Sequence, residues 1–83
     1  MIEKETAVFG AGSSGILSAF CLGKDALGVT IRGLQYPLED GALTADFPLG
    51  VSNHFVGKDA EITVKSGRLL LMWDIKNGLP TIR

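Results

Sequence analysis

Three glycines near the start of the chain could form a phosphate-binding loop. Gly10, Gly12 and Gly15, in "TAVFGAGSSGILSAF", have the G-x-G-x-x-G spacing of dinucleotide-binding folds. That chemistry needs a strand before the glycines and a helix after them, because the helix N-terminus faces the pyrophosphate. No acidic residue stands about 20 positions on to bind a ribose, but Arg32 stands where it could bind the 2′-phosphate of NADP. One hypothesis is therefore an NADP-binding Rossmann-type fragment.

A second candidate site is a row of polar residues inside an apolar stretch. In "GVSNHFVG", Ser52, Asn53 and His54 stand next to Phe55. A hydroxyl and an amide can orient a heterocycle by hydrogen bonds, and an aromatic ring can stack on it. The alternative is local, with Ser52 and Asn53 capping a loop through bonds to their own backbone. Trp73 is interpreted as a core or interface residue first and a ligand platform second.

No other residues have the spacing of a catalytic or metal-binding set. The sequence lacks a G-x-x-x-x-G-K-[ST] loop. It contains a single histidine, His54, and a single cysteine, Cys21. Cys21 lies in an alternating apolar segment and is interpreted as an inert buried thiol. We expect no catalytic residue, metal site or cofactor in this chain. A lone cysteine cannot form an intrachain disulfide, which indicates a reducing, cytoplasmic compartment.

Length and charge limit the possible functions. The 83 residues carry a formal net charge of -1, without runs of like charge. A chain of this size forms one small domain. Nucleic acid and membrane partners are not expected, because the charge supplies no field to attract them and no apolar run approaches the roughly 18 residues of a membrane helix.

The apolar pattern predicts an all-β fold, a small antiparallel β-sandwich, jelly roll or barrel with short turns. Residues 60–64 alternate as a half-buried strand does, and "RLLLMWDI" reads as a strand buried on both faces. Ser66-Gly67 between them predicts a hairpin. Residues 28–33 predict another strand, followed by a turn at Asp40-Gly41.

Turn residues elsewhere predict two more hairpins. Asn77-Gly78 is a strong hairpin signal, and Pro80 confines the strand after it to a sheet edge. Residues 12–15 are interpreted as a hairpin turn, with Leu17, Ala19 and Cys21 on one face of the following strand. This hairpin is favoured over the nucleotide loop, because nothing beyond residue 33 has the helical periodicity needed to cover a parallel sheet.

Two ordered motifs connect these segments to a known family. They are "G-V-T-x-x-G-L-x-Y-P-L" at residues 28–38 and "L-G-x-S-N-x-F-x-G" at residues 49–57, followed by the strand pair "VKSGRLLLMW". In these motifs the chain resembles the C-terminal, thiamin-binding domain of bacterial thiamin pyrophosphokinases. Residues 12–23 also look like the preceding turn and strand, so the resemblance covers most of the chain.

The resemblance implies an enzyme that transfers a diphosphate group from ATP to thiamin, giving thiamin diphosphate and AMP. In this family a magnesium-dependent homodimer does this, with an N-terminal α/β domain that holds magnesium and the nucleotide. Its C-terminal β-sandwich contributes the thiamin site at the subunit interface. Residues 1–83 resemble only the second domain. We therefore expect a piece of a longer enzyme that is inactive alone.

The resemblance also implies site residues. Ser52 and Asn53 match the Ser-Asn element, which hydrogen-bonds the aminopyrimidine of thiamin. His54 follows at a position that is often acidic in relatives. Trp73 lies near the place where some relatives set an aromatic ring against thiamin. A third hypothesis is a non-enzymatic β-module that dimerises through exposed apolar strands such as "LLLMW".

Overall fold

Nine strands and one short 3-10 helix make up the described part of the chain. The computed structural model describes residues 1–23, 25–44 and 53–83. The strands are β1 Ile2–Glu3, β2 Thr6–Phe9, β3 Ile16–Cys21, β4 Ala26–Arg32, β5 Leu38–Leu43, β6 Asn53–His54, β7 Ala60–Thr63, β8 Arg68–Trp73 and β9 Thr81–Ile82, with the helix at Ile75–Asn77 between the last two. No helix in these ranges is long and apolar enough to cross a membrane.

The strands form two antiparallel sheets, which confirms the predicted all-β class. One sheet has the order β1-β8-β3-β6 and the other the order β5-β4-β7-β2-β9. Alternating side chains from both sheets form a single buried cluster, as the two-residue period of a strand requires. The largest fully buried apolar side chains are Ile2, Leu17, Val29, Ile31, Leu43, Ile62, Val64 and Leu69.

Consecutive strands mostly lie in different sheets. Among the described strands, β4 and β5 are the one pair of chain neighbours that are also paired in a sheet. The three predicted hairpins are therefore wrong. The turn residues were identified, but each turn carries the chain across the sandwich instead of back along the same sheet.

The loop at residues 10–15 is the first such crossing. It leaves β2 in the five-stranded sheet and enters β3 in the four-stranded sheet. The Ser13 N–H donates to the Gly10 carbonyl at 3.0 Å, which closes one turn, and a strand follows. Because no helix begins at Ser13, the helix N-terminus required by the NADP hypothesis is missing. Leu17 and Ala19 face the core together, as predicted, while Cys21 is half-buried.

The connection from β7 to β8 is the second crossing. Ser66 exchanges backbone hydrogen bonds with Leu27 of β4 at 2.8 and 3.0 Å before the chain enters the other sheet. The prediction that β8 is buried on both faces is wrong. Leu69 and Leu71 are buried, whereas Leu70 is 36% exposed and Met72 is 55% exposed. In a two-layer sandwich only one face of each sheet is covered by the other sheet. A continuous apolar run therefore does not show that both faces of its strand are buried.

The predicted edge strand after Asn77-Gly78 and the predicted turn at Asp40-Gly41 have different outcomes. Asn77 ends the 3-10 helix, and the chain then crosses to β9, an edge strand of the five-stranded sheet. The edge position predicted from Pro80 is confirmed. Asp40-Gly41 lies inside β5 and is not a turn after a strand. Asp40 has a φ of 47° beside irregular register with β4, which marks a bulge, and its N–H donates to Thr30 Oγ1 at 3.2 Å.

Candidate functional site

One end of the sandwich brings two of the predicted site residues into a row. Leu17 of β3 lies opposite Asn53 of β6 on one side and opposite Trp73 of β8 on the other. Directly opposite residues of antiparallel strands point to the same face of a sheet. Asn53 and Trp73 therefore both point inward with Leu17, about 10 Å apart across two strand spacings.

Asn53 is a buried polar residue whose side chain binds backbone groups. The residue is 1% exposed. Its Oδ1 accepts the Tyr36 N–H at 2.9 Å and the His54 N–H at 3.0 Å, while its Nδ2 donates to the Tyr36 carbonyl at 2.8 Å. A carboxamide has two acceptor lone pairs and two donor hydrogens, so within residues 1–23, 25–44 and 53–83 these bonds use one of the two Nδ2 hydrogens. Its hydrogen bond to an aminopyrimidine stays a prediction.

The segment around Tyr36 runs along β6. The Gln35 N–H donates to the His54 carbonyl at 3.0 Å, and Leu34 forms an isolated bridge with Phe55. Residues 34–36 come from the first of the two motifs noted in the sequence, and β6 comes from the second. The structure therefore joins the two motifs through Asn53 and the backbone beside it.

His54 lies on the other face of its sheet. It is paired with Ile16, whose side chain is exposed, so His54 points away from the core. Asn53 and His54 consequently point to opposite sides, as successive strand residues do. Ser52 lies outside the described residues, and its predicted role stays a prediction.

Trp73 is half-buried and packs within a row of three aromatic rings. Its Nε1–H donates to the Gly78 carbonyl at 2.8 Å. Its ring contacts Phe9 edge-to-face with centroids 5.1 Å apart, and Phe9 contacts Phe55 in the same way at 5.4 Å. Because the single indole donor is used internally, the ring surface is what Trp73 can offer a ligand.

An apolar cleft opens beside this tryptophan. Its volume is about 510 Å³, and it is lined by Leu71, Met72, Trp73, Gly78 and Leu79. A cleft of this size with few polar groups suits a flat, largely apolar ring system.

The glycine-rich loop is attached to the same end. Ser14 and Asn77 pair reciprocally: the Ser14 N–H donates to Asn77 Oδ1 at 3.1 Å, and Asn77 Nδ2 donates to the Ser14 carbonyl at 2.9 Å. The Phe55 N–H donates to the Gly15 carbonyl at 3.1 Å. These bonds, with those of Asn53, join four chain segments into a rim around the end of the sandwich: residues 13–15, 34–36, 53–55 and 73–78.

Sequence reasoning missed Tyr36 and Asn77. Tyr36 was visible only as part of the Y-P-L motif, and Asn77 was interpreted as a turn residue. An asparagine within an apolar stretch was the available signal for Asn53, since a buried amide must find hydrogen-bond partners. Nothing in the sequence identifies which backbone groups those partners are.

The described residues do not fit a magnesium site. Across residues 1–23, 25–44 and 53–83, no group of three or more His, Cys, Asp or Glu side chains is placed to hold a metal ion. Ion pairs such as Arg32–Glu39 at 3.1 Å and Lys65–Asp40 at 3.7 Å are largely exposed. Exposed pairs of this kind contribute little to stability.

Comparison with known proteins identifies the family. The family model described as "Thiamin pyrophosphokinase, vitamin B1 binding domain" matches residues 9–69, which is more than half of the chain. The chain belongs to this family. The match includes the glycine-rich loop, Tyr36 and Asn53, whereas Trp73 and Asn77 lie beyond it.

A solved structure shares the fold of this chain. The crystal structure of thiamine pyrophosphokinase from Bacillus subtilis matches with a TM-score of 0.73 over 86% of this chain, at 20% sequence identity. At that sequence identity, the structural similarity establishes the fold alone. The match covers 34% of the Bacillus subtilis chain, so this vitamin B1 binding domain spans about a third of that enzyme. Among curated proteins, no significant match was found.

Proposed function

We propose that this domain binds thiamin at the rim, as the substrate-binding part of a thiamin pyrophosphokinase. The observation that carries the proposal is the joining of the two family motifs by the Asn53 side chain, which holds the Tyr36 backbone at 2.8 and 2.9 Å. Family membership supports thiamin as the ligand. The complete enzyme would transfer a diphosphate group from ATP to thiamin and release AMP.

The chemistry of thiamin suits this end of the sandwich. Thiamin has a flat aminopyrimidine ring and a cationic thiazolium ring. The half-buried rings of Phe55 and Trp73, which both pack on the buried Phe9 ring, offer aromatic surface that packs against flat rings and attracts cations. Ser52 and the second Nδ2 hydrogen of Asn53, which bonds to no group in the described part of the chain, would fix the aminopyrimidine. Because Asn53 already holds the surrounding backbone, little ordering would be needed when the ligand binds.

Phosphoryl transfer itself requires groups that the described residues do not bring together. It depends on metal ions and positioned charges around the transferred group. We assign the ATP and magnesium sites to other parts of the complete enzyme, and we expect the 83-residue chain alone to be inactive. Its single cysteine supports a cytoplasmic enzyme.

The outer face of the four-stranded sheet supports a homodimer. Ile16 is 51% exposed there, with Leu70 at 36% and Met72 at 55%. Phe20 lies opposite Leu70, which extends the apolar surface across two strands. Contiguous apolar surface of this kind marks an interaction site. We propose that a second copy of the chain covers it, so that dimerisation serves the enzyme and is not a separate, non-enzymatic function.

Calorimetric titration of the complete enzyme with thiamin tests the proposed site. Ser52→Ala and Asn53→Ala should each raise the Kd about fivefold or more, since a lost hydrogen bond in a pocket costs around 1 kcal/mol. Ser66→Ala is the matched control, because Ser66 lies in the β7–β8 connection at the other end of the sandwich. Unchanged thiamin affinity in both site variants would contradict the site assignment.

A further inference from the structure

Residues 74–78 form a segment that is hydrogen-bonded both to Trp73 and to the glycine-rich loop. Its Gly78 carbonyl accepts the Trp73 indole N–H at 2.8 Å. Its Asn77 side chain pairs with both backbone groups of Ser14 at 2.9 and 3.1 Å. Within the segment, the Asn77 N–H donates to the Asp74 carbonyl at 3.0 Å, and the Lys76 N–H donates to Asp74 Oδ1 at 3.0 Å.

Asn77 repeats at the surface the arrangement that Asn53 makes in the interior. Each asparagine takes the N–H and the carbonyl of one backbone residue, Tyr36 for Asn53 and Ser14 for Asn77. Both pairs lie at the same end of the sandwich. Asn77 is only half-buried and Ser14 is exposed. Removal of the Asn77 side chain therefore opens no buried cavity, and its effect on binding can be measured without a loss of folding.

We propose that Asn77 is a positioning residue for thiamin binding. By holding Ser14 it fixes the glycine-rich loop against residues 74–78. Gly78, whose carbonyl accepts the Trp73 indole N–H, follows Asn77 directly in the chain, so anchoring Asn77 also limits the movement of that acceptor. Without the Asn77 side chain, Ser14 loses its two partners, residues 74–78 are no longer attached to the glycine-rich loop, and the acceptor of the Trp73 indole is held less firmly. This inference rests on the proposed thiamin site, and it adds a residue that lies outside the span matched by the family.

Trp73 makes the proposal directly measurable, because it is the single tryptophan of the chain. The complete enzyme would be compared with Asn77→Ala and Asn77→Asp by tryptophan emission, acrylamide quenching, thermal unfolding and thiamin titration. Asn77→Asp keeps an acceptor for the Ser14 N–H but places an oxygen against the Ser14 carbonyl. In a longer chain with other tryptophans, these would first be replaced by phenylalanine.

Both variants should expose Trp73 and weaken binding. We expect acrylamide quenching of Trp73 to rise in both variants. The thiamin Kd should rise about fivefold, since Asn77→Ala loses both hydrogen bonds to Ser14 and Asn77→Asp loses the one donated to the Ser14 carbonyl. The midpoint of thermal unfolding should change little. Lys76→Ala is the adjacent control, because the Lys76 side chain makes an exposed ion pair at 3.9 Å and none of the bonds described above.

The outcomes separate this inference from the proposed function. If the unchanged enzyme binds thiamin and both Asn77 variants bind it equally well, the positioning role is overturned and the thiamin site stands. Trp73 quenching that matches the unchanged enzyme would also overturn it. If the unchanged enzyme does not bind thiamin, the proposed function is overturned and the role of Asn77 in binding is overturned with it.

Discussion

Asn53 pairs with Tyr36 as a residue of a neighbouring strand would, although the two stand 17 positions apart and Tyr36 belongs to no strand. The side-chain amide replaces a peptide group, accepting from the Tyr36 N–H and donating to the Tyr36 carbonyl. The connection between β4 and β5 is thereby attached to the four-stranded sheet. The buried Asn53 side chain thus stabilises the fold and also forms part of the proposed thiamin site.

Replacing Asn53 should therefore cost stability as well as affinity. Asn53→Ala leaves the Tyr36 N–H and carbonyl and the His54 N–H, all part-buried, without their partner. Each stranded group costs about 1–3 kcal/mol, so the free energy of unfolding should fall by roughly 3 kcal/mol. Urea denaturation measures the loss, with Ser66→Ala as the control. A loss below about 1 kcal/mol would mean that the amide serves the ligand alone.

The glycine before this connection should tolerate no side chain. Gly33 has a φ of 76°, and a Cβ there would lie 2.0 Å from the Asp59 carbonyl oxygen. Gly57 has nearly the same φ, 78°, with open space around the added atom. Gly57→Ala should cost about 1–2 kcal/mol from backbone conformation alone, and Gly33→Ala should cost several kcal/mol more.

Thermal unfolding of these two glycine variants separates steric contact from backbone strain. Because residues 34–36 follow directly, Gly33→Ala should also weaken thiamin binding, whereas Gly57→Ala should not. Equal stability losses in the two variants would show that the close approach of Gly33 to Asp59 is not a structural requirement.

A charge on the outer face of the four-stranded sheet should separate the proposed dimer. Met72→Lys places an ammonium group within the apolar surface that a second copy would cover, so the dimer dissociation constant should rise at least about tenfold. Leu27→Lys is the matched control, since Leu27 is 50% exposed on the other sheet. Sedimentation velocity over a concentration series measures both. Identical dissociation constants would place the dimer contact elsewhere.

The sequence predicted the fold class well and the strand pairing poorly. Alternation identified β7 and the inward set that includes Leu17 and Ala19, because the period of a strand determines which side chains face a core. It does not determine which sheet a strand joins. Ser66-Gly67 and Asn77-Gly78 were recognised as places where the chain turns, but a turn that crosses a sandwich uses the same residues as a hairpin.

The candidate site was predictable only in part, for a similar reason. The Ser-Asn element was found through the motif in which it stands, and the family match includes it. The partners of Asn53 and Asn77 are backbone groups, which carry no residue-specific signal. Ser14 and Asn77 are 63 positions apart, so no local pattern connects them. Their meeting depends on the packing of the two sheets.

The crossing connections also determine how the chain must fold. Thr6 and Arg83 exchange backbone hydrogen bonds at 2.7 and 2.9 Å, and Ile2 pairs with Leu69, so both sheets combine residues from distant parts of the chain. The entropy of closing such long loops is paid before their contacts form, which slows folding. We expect refolding in milliseconds to seconds by stopped-flow fluorescence. On the ribosome, β1 would wait unpaired until β8 emerges, and β3 would have only β6 beside it until then, exposing apolar strands to chaperones and to aggregation.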